Sequence, residues 1–515
     1  MRSIDAPARP SGRTPVAGAD RSSVGAGTQA SRTVQDYIDE VPAWQDGTPV
    51  PTAPITAMQW RIWWLATAGK FFEGFVVFMT GVALPLIAAE FRLSTVQHGM
   101  VGAAPLVGIL LGASVLGGLA DHYGRKSMFI AEMAIFVVFL ALVAASPSFG
   151  WLVMSLLGVG IALGCDYPTA HLVISESIPS RTRGRFVLAA FAFQAVGALA
   201  GTGVGALILV ADPSLEAWRW MYAAAILPAV LVLFGRFFVT QSAHWLLSRG
   251  RTAEAEREMT RLLRREPPYP RQIHLRANAT VHDPSATPAS RRYRLLLTGR
   301  HRRATILASV PWFLQDLATY GIGIFTPTIL AAMFGHQSGG ARNVADLVTS
   351  DVLAAKGAAA IDVLLIVGIV AAVFLTDTVG RIRLQVLGFI GCAAGLLLAS
   401  LSIGQEGGMS TVLVFTGFVL FSFMTNLGPN AQTYLLSGEV FPTALRGSGA
   451  GFAAAFAKIG AAATAFLFPI LLADIGTTTV LYILAGTSIL GAAVTWLFRI
   501  ETKGLNLEQL GSPEG

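Results

Sequence analysis

Charged side chains stand where an apolar chain should carry none. Asp166 lies in the run GVGIALGCDYPTAHLV, Lys458 in FAAAFAKIGAAA, and Lys70 and Glu73 three residues apart in ATAGKFFEGFVVF. An ionised group at bilayer depth is costly, so such residues face a cavity or a partner and mark an ion or solute path. Trp312, Asp316 and Tyr320 recur at i, i+4 and i+8, which puts an acid between an indole and a phenol on one helix face. That face is a wall able to bind a polar solute through N–H and O–H donors. Lys458 has no partner within a helical turn and needs a distant carboxylate (Asp166 and Asp316 are the candidates) or an anion. Lys70 and Glu73 either neutralise each other or, if the lysine turns inward, add positive charge to the site. A carboxyl that is both desolvated and near a cation is under opposing influences, which lets it titrate near neutral pH.

These residues need membrane-spanning helices to hold them. Of 515 residues 53% are hydrophobic and only 13% charged, with a mean hydropathy of +0.60. A soluble chain carries roughly a quarter charged residues, so this is a polytopic membrane protein. The net charge of +7 does not indicate nucleic acid, because the basic residues cluster in particular loops. Cys165 and Cys392 lie inside apolar runs and suggest no disulfide framework. The histidines show no metal-ligand spacing. Neither a Ser/His/Asp set nor a phosphate-binding loop is visible, so the expectation is a protein without a cofactor or metal that is not an enzyme.

Apolar segments of spanning length cover 62–88, 99–120, 127–146, 151–175, 184–211 and 219–240, then 304–333, 358–379, 383–404, 411–437, 447–473 and 478–499. The expected organisation is a disordered tail over 1–55, a six-helix bundle over 56–240, a polar linker over 241–303, a second bundle over 304–500 and a short tail over 501–515. Within the linker, 252–265 reads as an amphipathic helix that lies either on an anionic leaflet or in solvent. The loop at 334–357 is rich in Gly and Ala. With the first tail inside, Arg125, Lys126, Arg181, Arg183, Arg185, Arg381, Arg383, Arg446, Arg499 and Lys503 all fall on the cytoplasmic side. The outer loops receive only Arg92, Arg219, Arg342 and Lys356. By the positive-inside rule both termini are cytoplasmic, in a plasma-membrane protein.

Two signatures occur once per half. Asp121-x-x-Gly-Arg125 is echoed by Asp377-x-x-Gly-Arg381, and Glu176-x-x-Pro-x-x-x-Arg183 by Glu439-x-x-Pro-x-x-x-Arg446. Matching elements in matching places imply a duplicated bundle, a plan common among transporters, with the solute site between the halves near mid-membrane. Arg and carboxylate on neighbouring inner loops can form a gate that pairs when the halves close and parts when they rock open. The glycines at 158, 160 and 164 and at 197, 201 and 205 are read as helix-packing contacts.

Six plus six helices, GGLADHYGRK at 117–126 and its echo resemble the major facilitator superfamily over residues 60–500. The stretch QSAHWLLSRGR at 241–251 resembles the loop after helix 6 of the sugar-porter branch. GCDYP at 164–168, Gln194 in AFAFQAVGAL, WFLQDLATYG at 312–321, NLGPN at 426–430 and Lys458 in FAKIGA resemble the phosphate:proton symporter branch. The resemblance implies an all-α protein of two six-helix bundles with inverted repeats that carries a small solute with protons across the bilayer. It implies that Tyr167, Gln194, Trp312, Asp316, Tyr320 and Asn426 or Asn430 line the solute site. Lys458 would answer the solute's charge, and Asp166 with Glu73 would handle protons, Asp316 being a further carboxyl of the site. Helix 1 departs from the family pattern in having Val76 at the place of a second acid. Phosphate is the first expectation for the solute, and a sugar, polyol or organic acid the second. A non-transporting sensor would add a long folded extension, and a drug exporter would have a more apolar cavity.

Overall fold

The computed structural model describes residues 32–42, 53–116, 119–265, 273–275, 294–337, 344–402, 408–442 and 445–503. The first half contains α1 (Val34–Asp39), α2 (Ala57–Phe91), α3 (Thr95–Leu111), α4 (Leu119–Tyr123), α5 (Arg125–Ala144), α6 (Phe149–Ser177), α7 (Ser180–Ala211) and α8 (Ala217–Arg236). The linker carries α9 (Ala243–Ser248) and α10 (Thr252–Leu262). The second half contains α11 (Gly299–Gln337), α12 (Val344–Val379), α13 (Arg381–Ser400), α14 (Gly408–Leu427), α15 (Pro429–Glu439) and α16 (Arg446–Leu497).

The starts of these helices are written locally. Thr56 and Gln59 form a reciprocal capping box at α2, and Ser94 and Gln97 do the same at α3, each satisfying backbone donors that a helix start leaves open. The Gly of each Asp-x-x-Gly-Arg signature takes a left-handed φ, 96° at Gly124 and 103° at Gly380. Only glycine does this cheaply, and the two corners match across the halves. Gly476, at φ 77°, breaks the 52-residue α16 into two passes. Gly428, followed by Pro429 at the first turn of α15, separates α14 from α15 within one pass. Together with the 39-residue α11, the described helices fit twelve passes, six per half.

Small residues set the spacing. A Cβ on Gly197 would lie 1.9 Å from the Phe71 carbonyl oxygen of α2, and one on Gly160 would lie 2.0 Å from that of Pro105 in α3. The backbones there touch, as expected of glycine-lined membrane interfaces.

Three expectations change. The tail is not disordered throughout: α1 buries Val34, Tyr37 and Ile38, and its Asp39 accepts a hydrogen bond from the Ser180 backbone N–H at the start of α7 (2.7 Å). The apolar face of α10 meets neither lipid nor solvent; Ala255, Met259 and Leu262 pack with α1 and the lower part of α2. Its polar face accounts for the amphipathic pattern, while the protein supplies the apolar partner. The loop expected over 334–357 is already helical from Val344, because its Ala and Leu residues extend α12. The remainder of the two tails and the linker residues 266–272 and 276–293 lie outside the described residues.

If backbone contact at Gly197 holds α2 against α7, Gly197→Val will lower the melting temperature in detergent, costing at least the ~1–3 kcal/mol of overpacking. Gly203→Val on the same helix, where a Cβ meets nothing within 4 Å, will leave it nearly unchanged. Equal effects from the two variants would refute the packing role.

Candidate functional site

Between the halves, buried charges form a closed ring. Glycines bring its walls together: a Cβ on Gly74 would stand 2.0 Å from the Gln194 carbonyl oxygen, and one on Gly460 would stand 2.7 Å from that of Phe313. The first contact sets Glu73 of α2 beside Gln194 of α7, and the second sets Lys458 of α16 beside Asp316 of α11.

Lys458 Nζ lies 3.3 Å from Asp316 Oδ2 and 3.5 Å from Glu73 Oε1. It donates to the Tyr320 hydroxyl at 2.6 Å and sits 4.4 Å from the centre of that ring. Tyr320 donates in turn to Glu73 Oε1 (3.0 Å) and accepts from Gln194 Nε2 (3.1 Å). One hydroxyl thus uses its proton and both lone pairs. Lys70 Nζ pairs with Glu73 Oε2 at 3.0 Å, so the local pairing foreseen from i, i+3 spacing forms inside the larger ring. Lys70, Glu73, Asp316, Tyr320 and Lys458 are all buried. Two cations and two carboxylates balance when all are ionised.

The ring ends on one side at an aromatic layer. Trp312 is buried one turn before Asp316 and meets Tyr434 edge-on at 6.1 Å. Tyr434 of α15 stacks on Phe191 of α7 at 4.4 Å, a contact between the halves that sequence reasoning missed. Asn426 is buried and donates to the Leu365 carbonyl (2.8 Å), whereas Asn430 donates to Asn426 Oδ1 (2.6 Å) and accepts from Gln315 Nε2 (3.2 Å). Asn426 in α14 is therefore committed to the scaffold, while Asn430 in α15 faces α11. The Tyr167 side chain lies outside the described residues.

Asp166 is not in the ring, which corrects the expectation that it could hold Lys458. Arg236 at the end of α8 claims it: Nη2 lies 2.7 Å from Asp166 Oδ1, and Nη1 lies 2.9 Å from Glu132 Oε1 of α5. The guanidinium also donates to the Phe129 carbonyl (2.6 Å) and lies over the Phe129 ring. All three charged side chains are buried, and the count of one cation to two carboxyls balances only when one carboxyl is protonated. Asp166 sits against α2 at Gly69, where a Cβ would fall 1.6 Å from Oδ2, immediately before Lys70. Glu132 and Arg236 were overlooked although each interrupts an apolar run, the same signal that singled out Asp166.

The half-buried inner-loop pairs form within each half. Arg125 meets Glu176 at 3.3 Å, and Arg381 meets Glu439 at 3.2 Å and Asp377 at 3.0 Å. The loops after the second and fourth helices of one repeat are neighbours, which is why the pairing stays internal. The segment after each half's last helix completes it. Ser242 donates to Glu176 and Thr502 to Glu439, while Gln241 accepts from the Lys126 backbone N–H and Glu501 from that of Arg381. Arg183 donates to Ser180 Oγ (3.3 Å). The side chains of Asp121 and Arg446 lie outside the described residues. Arg185 and Asp377, both exposed, approach across the halves at 3.9 Å.

On the face that carries the described ends of the chain, a cleft of ≈ 480 Å³ opens between the halves, lined by Arg181, Arg185, Leu188, Asp377, Leu435 and Glu439 among others. The far face is shut. Across the halves, Gly81 abuts the Ile324 backbone and Gly99 the Phe466 backbone. The arrangement can hold a small charged solute between two bundles and open it to one side.

Residues 55–512 match the family described as Sugar (and other) transporter. The inner membrane metabolite transport protein YgcS of Escherichia coli is 30% identical over 464 residues, spanning 90% of this chain and 96% of that protein. A rice protein named "Probable inorganic phosphate transporter 1-12" is 28% identical, spanning 80% of this chain and 82% of its own. Other relatives are named for niacin and for glucose transport. Among solved structures, the partially occluded inward-open xylose transporter XylE of E. coli superposes with a TM-score of 0.69 at 19% identity, covering 88% of this chain and all of that one.

Removing one partner of a buried ion pair costs ~3–5 kcal/mol. Arg236→Met will therefore lower the melting temperature sharply by stranding Asp166 and Glu132. Adding Asp166→Asn and Glu132→Gln to that variant will recover most of the loss. A triple variant no more stable than the single one would show that charge balance does not hold this cluster.

Proposed function

Because the chain belongs to the Sugar (and other) transporter family, within the major facilitator superfamily, we propose that it is a proton-coupled symporter of a small anion, inorganic phosphate first. It works by alternating access in the cytoplasmic membrane with both termini inside. The observation that carries this reading is the ring of Lys70, Glu73, Asp316 and Lys458, which straddles both bundles and sums to zero charge. An anion arriving at Lys458 would leave buried negative charge in excess. The excess vanishes if Glu73 or Asp316 takes up a proton in the same step, so solute and proton travel together. In this step the Tyr320 hydroxyl turns from Glu73, and the Gln194 amide from that hydroxyl, to the solute's oxygens.

The Asp166–Glu132 pair is the proton store. Its two carboxyls share Arg236, and that of Asp166 abuts α2 at Gly69, next to Lys70, so a proton released there changes the field at the ring. Closure of the far face and the cleft on the near one are what a carrier has after releasing its solute to the cytoplasm, and the mid-membrane ring is where rocking bundles would exchange it. The Arg–Glu pairs within each bundle keep its inner rim rigid while the bundles move.

A second reading, a carrier of a sugar, polyol or organic acid, draws on the amide-rich wall of Gln194, Gln315 and Asn430 beside Trp312 and on relatives named for glucose and niacin.

Two measurements decide between them. Lys458→Gln in liposomes will weaken phosphate binding by a few kcal/mol, as for a buried charge that loses its partner, and will weaken hexose binding far less. Phosphate that never competes, or binds both proteins alike, moves the second reading to the front. Asp166→Asn will abolish uptake driven by a pH gradient yet keep solute counterflow; unimpaired gradient-driven uptake would remove Asp166 from the proton path.

A further inference from the structure

Among the buried acids outside both clusters, one bridges the two halves. Asp362, midway along α12, is 6% exposed and reaches across to Thr202 of α7, with Oδ2 2.6 Å from Thr202 Oγ1. The contact joins the two halves. It lies about two helical turns beyond Gln194 along α7, so it stands on the far-face side of the ring. The same Thr202 oxygen is 2.6 Å from the Ala198 carbonyl oxygen of its own helix. A threonine hydroxyl carries one proton. With that proton on Ala198, which has none to offer, the contact to Asp362 closes only if the carboxyl itself carries a proton and donates it to Oγ1.

The surroundings agree. From α7, Thr202 faces Asp362, and the arginines 181, 183 and 185 of that helix are at least ~25 Å away along it. α14 carries no charged residue. Lys70 and Glu73 of α2, and Asp316 and Tyr320 of α11, are engaged in the ring toward the near face. Arg381 and Arg383 of α13, and Tyr434 and Glu439 of α15, lie at or near the cleft end. On α12 itself, Lys356 is exposed, Asp377 lies at the cleft, and Asp351 is about three turns toward the far face. An ionised Asp362 would have burial without a counter-charge, which is prohibitively costly.

We propose that Asp362 is a second proton-holding group of the transport cycle: as the neutral acid it latches α12 to α7 through Thr202, and loss of its proton releases the far-face closure. This rests on the alternating-access reading and adds to it a residue that touches no solute. The closed arrangement binds one proton more than the parted one, in which water reaches the carboxyl and lets it ionise. Closure therefore strengthens as pH falls and weakens as pH rises, by up to ~tenfold in the closed:open ratio per pH unit while the group titrates.

The test needs no solute. In the full chain in liposomes, with Cys165 and Cys392 replaced by Ala, spin labels at Val96→Cys and Ala473→Cys report the distance between the far-face ends of α3 and the first pass of α16. The population at short distance should fall as pH is raised from about 5.5 to 8.5. Asp362→Asn, whose amide donates to Thr202 as the neutral acid does, should stay closed and flatten that response. Thr202→Val should open the far face at low pH, and Thr202→Ser should restore the original profile. A response to pH unchanged in Asp362→Asn, or closure indifferent to Thr202→Val, overturns the proposal. Since the readout is distance alone, a flattened profile in a protein that carries no phosphate would uphold the latch and reject the solute. Phosphate uptake with an unaltered profile would do the reverse.

Discussion

Charge that cannot be hydrated has to be balanced where it lies, and each buried ionisable group in the middle of this protein answers to that demand in a different way. Lys70, Glu73, Asp316 and Lys458 cancel one another across the boundary between the bundles. Asp166 and Glu132 share one guanidinium inside the first bundle. Asp362 has a hydroxyl for its partner. In a medium where an uncompensated ion costs far more than any single contact returns, each arrangement restricts which protonation states and which relative positions of the helices can coexist. On the proposed reading, such a restriction links proton binding to movement.

The ring owes its leverage to its position. Glu73 and Gln194 belong to the first bundle, and Asp316, Tyr320 and Lys458 to the second, so the bundles cannot part there without exchanging partners. Elsewhere, apart from the Asp362–Thr202 contact and the exposed approach of Arg185 to Asp377, the described contact between them is apolar and asymmetric. Glycine-to-backbone contacts close the far face, while on the near face an arginine-lined cleft opens on the side of the Phe191–Tyr434 stack. The aromatic layer keeps water of the cleft from the ring without adding charge of its own.

Within each bundle the duplication is carried further than its two signatures. The glycine corners at 124 and 380 share the same left-handed backbone, and each Arg–Glu pair is completed by a hydroxyl from the segment beyond the last helix, Ser242 in one half and Thr502 in the other. On the proposed reading, rigid inner rims of this kind let each bundle turn as a body, which concentrates the change on the surface between them.

The sequence by itself determined the number and order of the membrane passes, the duplicated corners and the presence of a polar site at mid-depth, because apolar length, glycine at a left-handed turn and a charge inside an apolar run are local properties of the chain. It also placed Tyr320, Asp316 and Trp312 on one face and Lys70 within reach of Glu73, since helical spacing decides both, though whether the two would pair stayed open. Only the tertiary structure decided which charges meet. Whether Asp166 would answer Lys458 or Arg236 depends on how α6 faces α8 and α16, and contacts between helices far apart in the chain have no periodicity from which to be read. For the same reason the Tyr434–Phe191, Glu132–Arg236 and Asp362–Thr202 contacts stayed hidden, and the half-buried inner-loop pairs turned out to lie within the bundles. The apolar face of α10 was legible, but its partner was not: an amphipathic stripe specifies that something must cover it, and only folding supplied α1 in place of lipid or solvent.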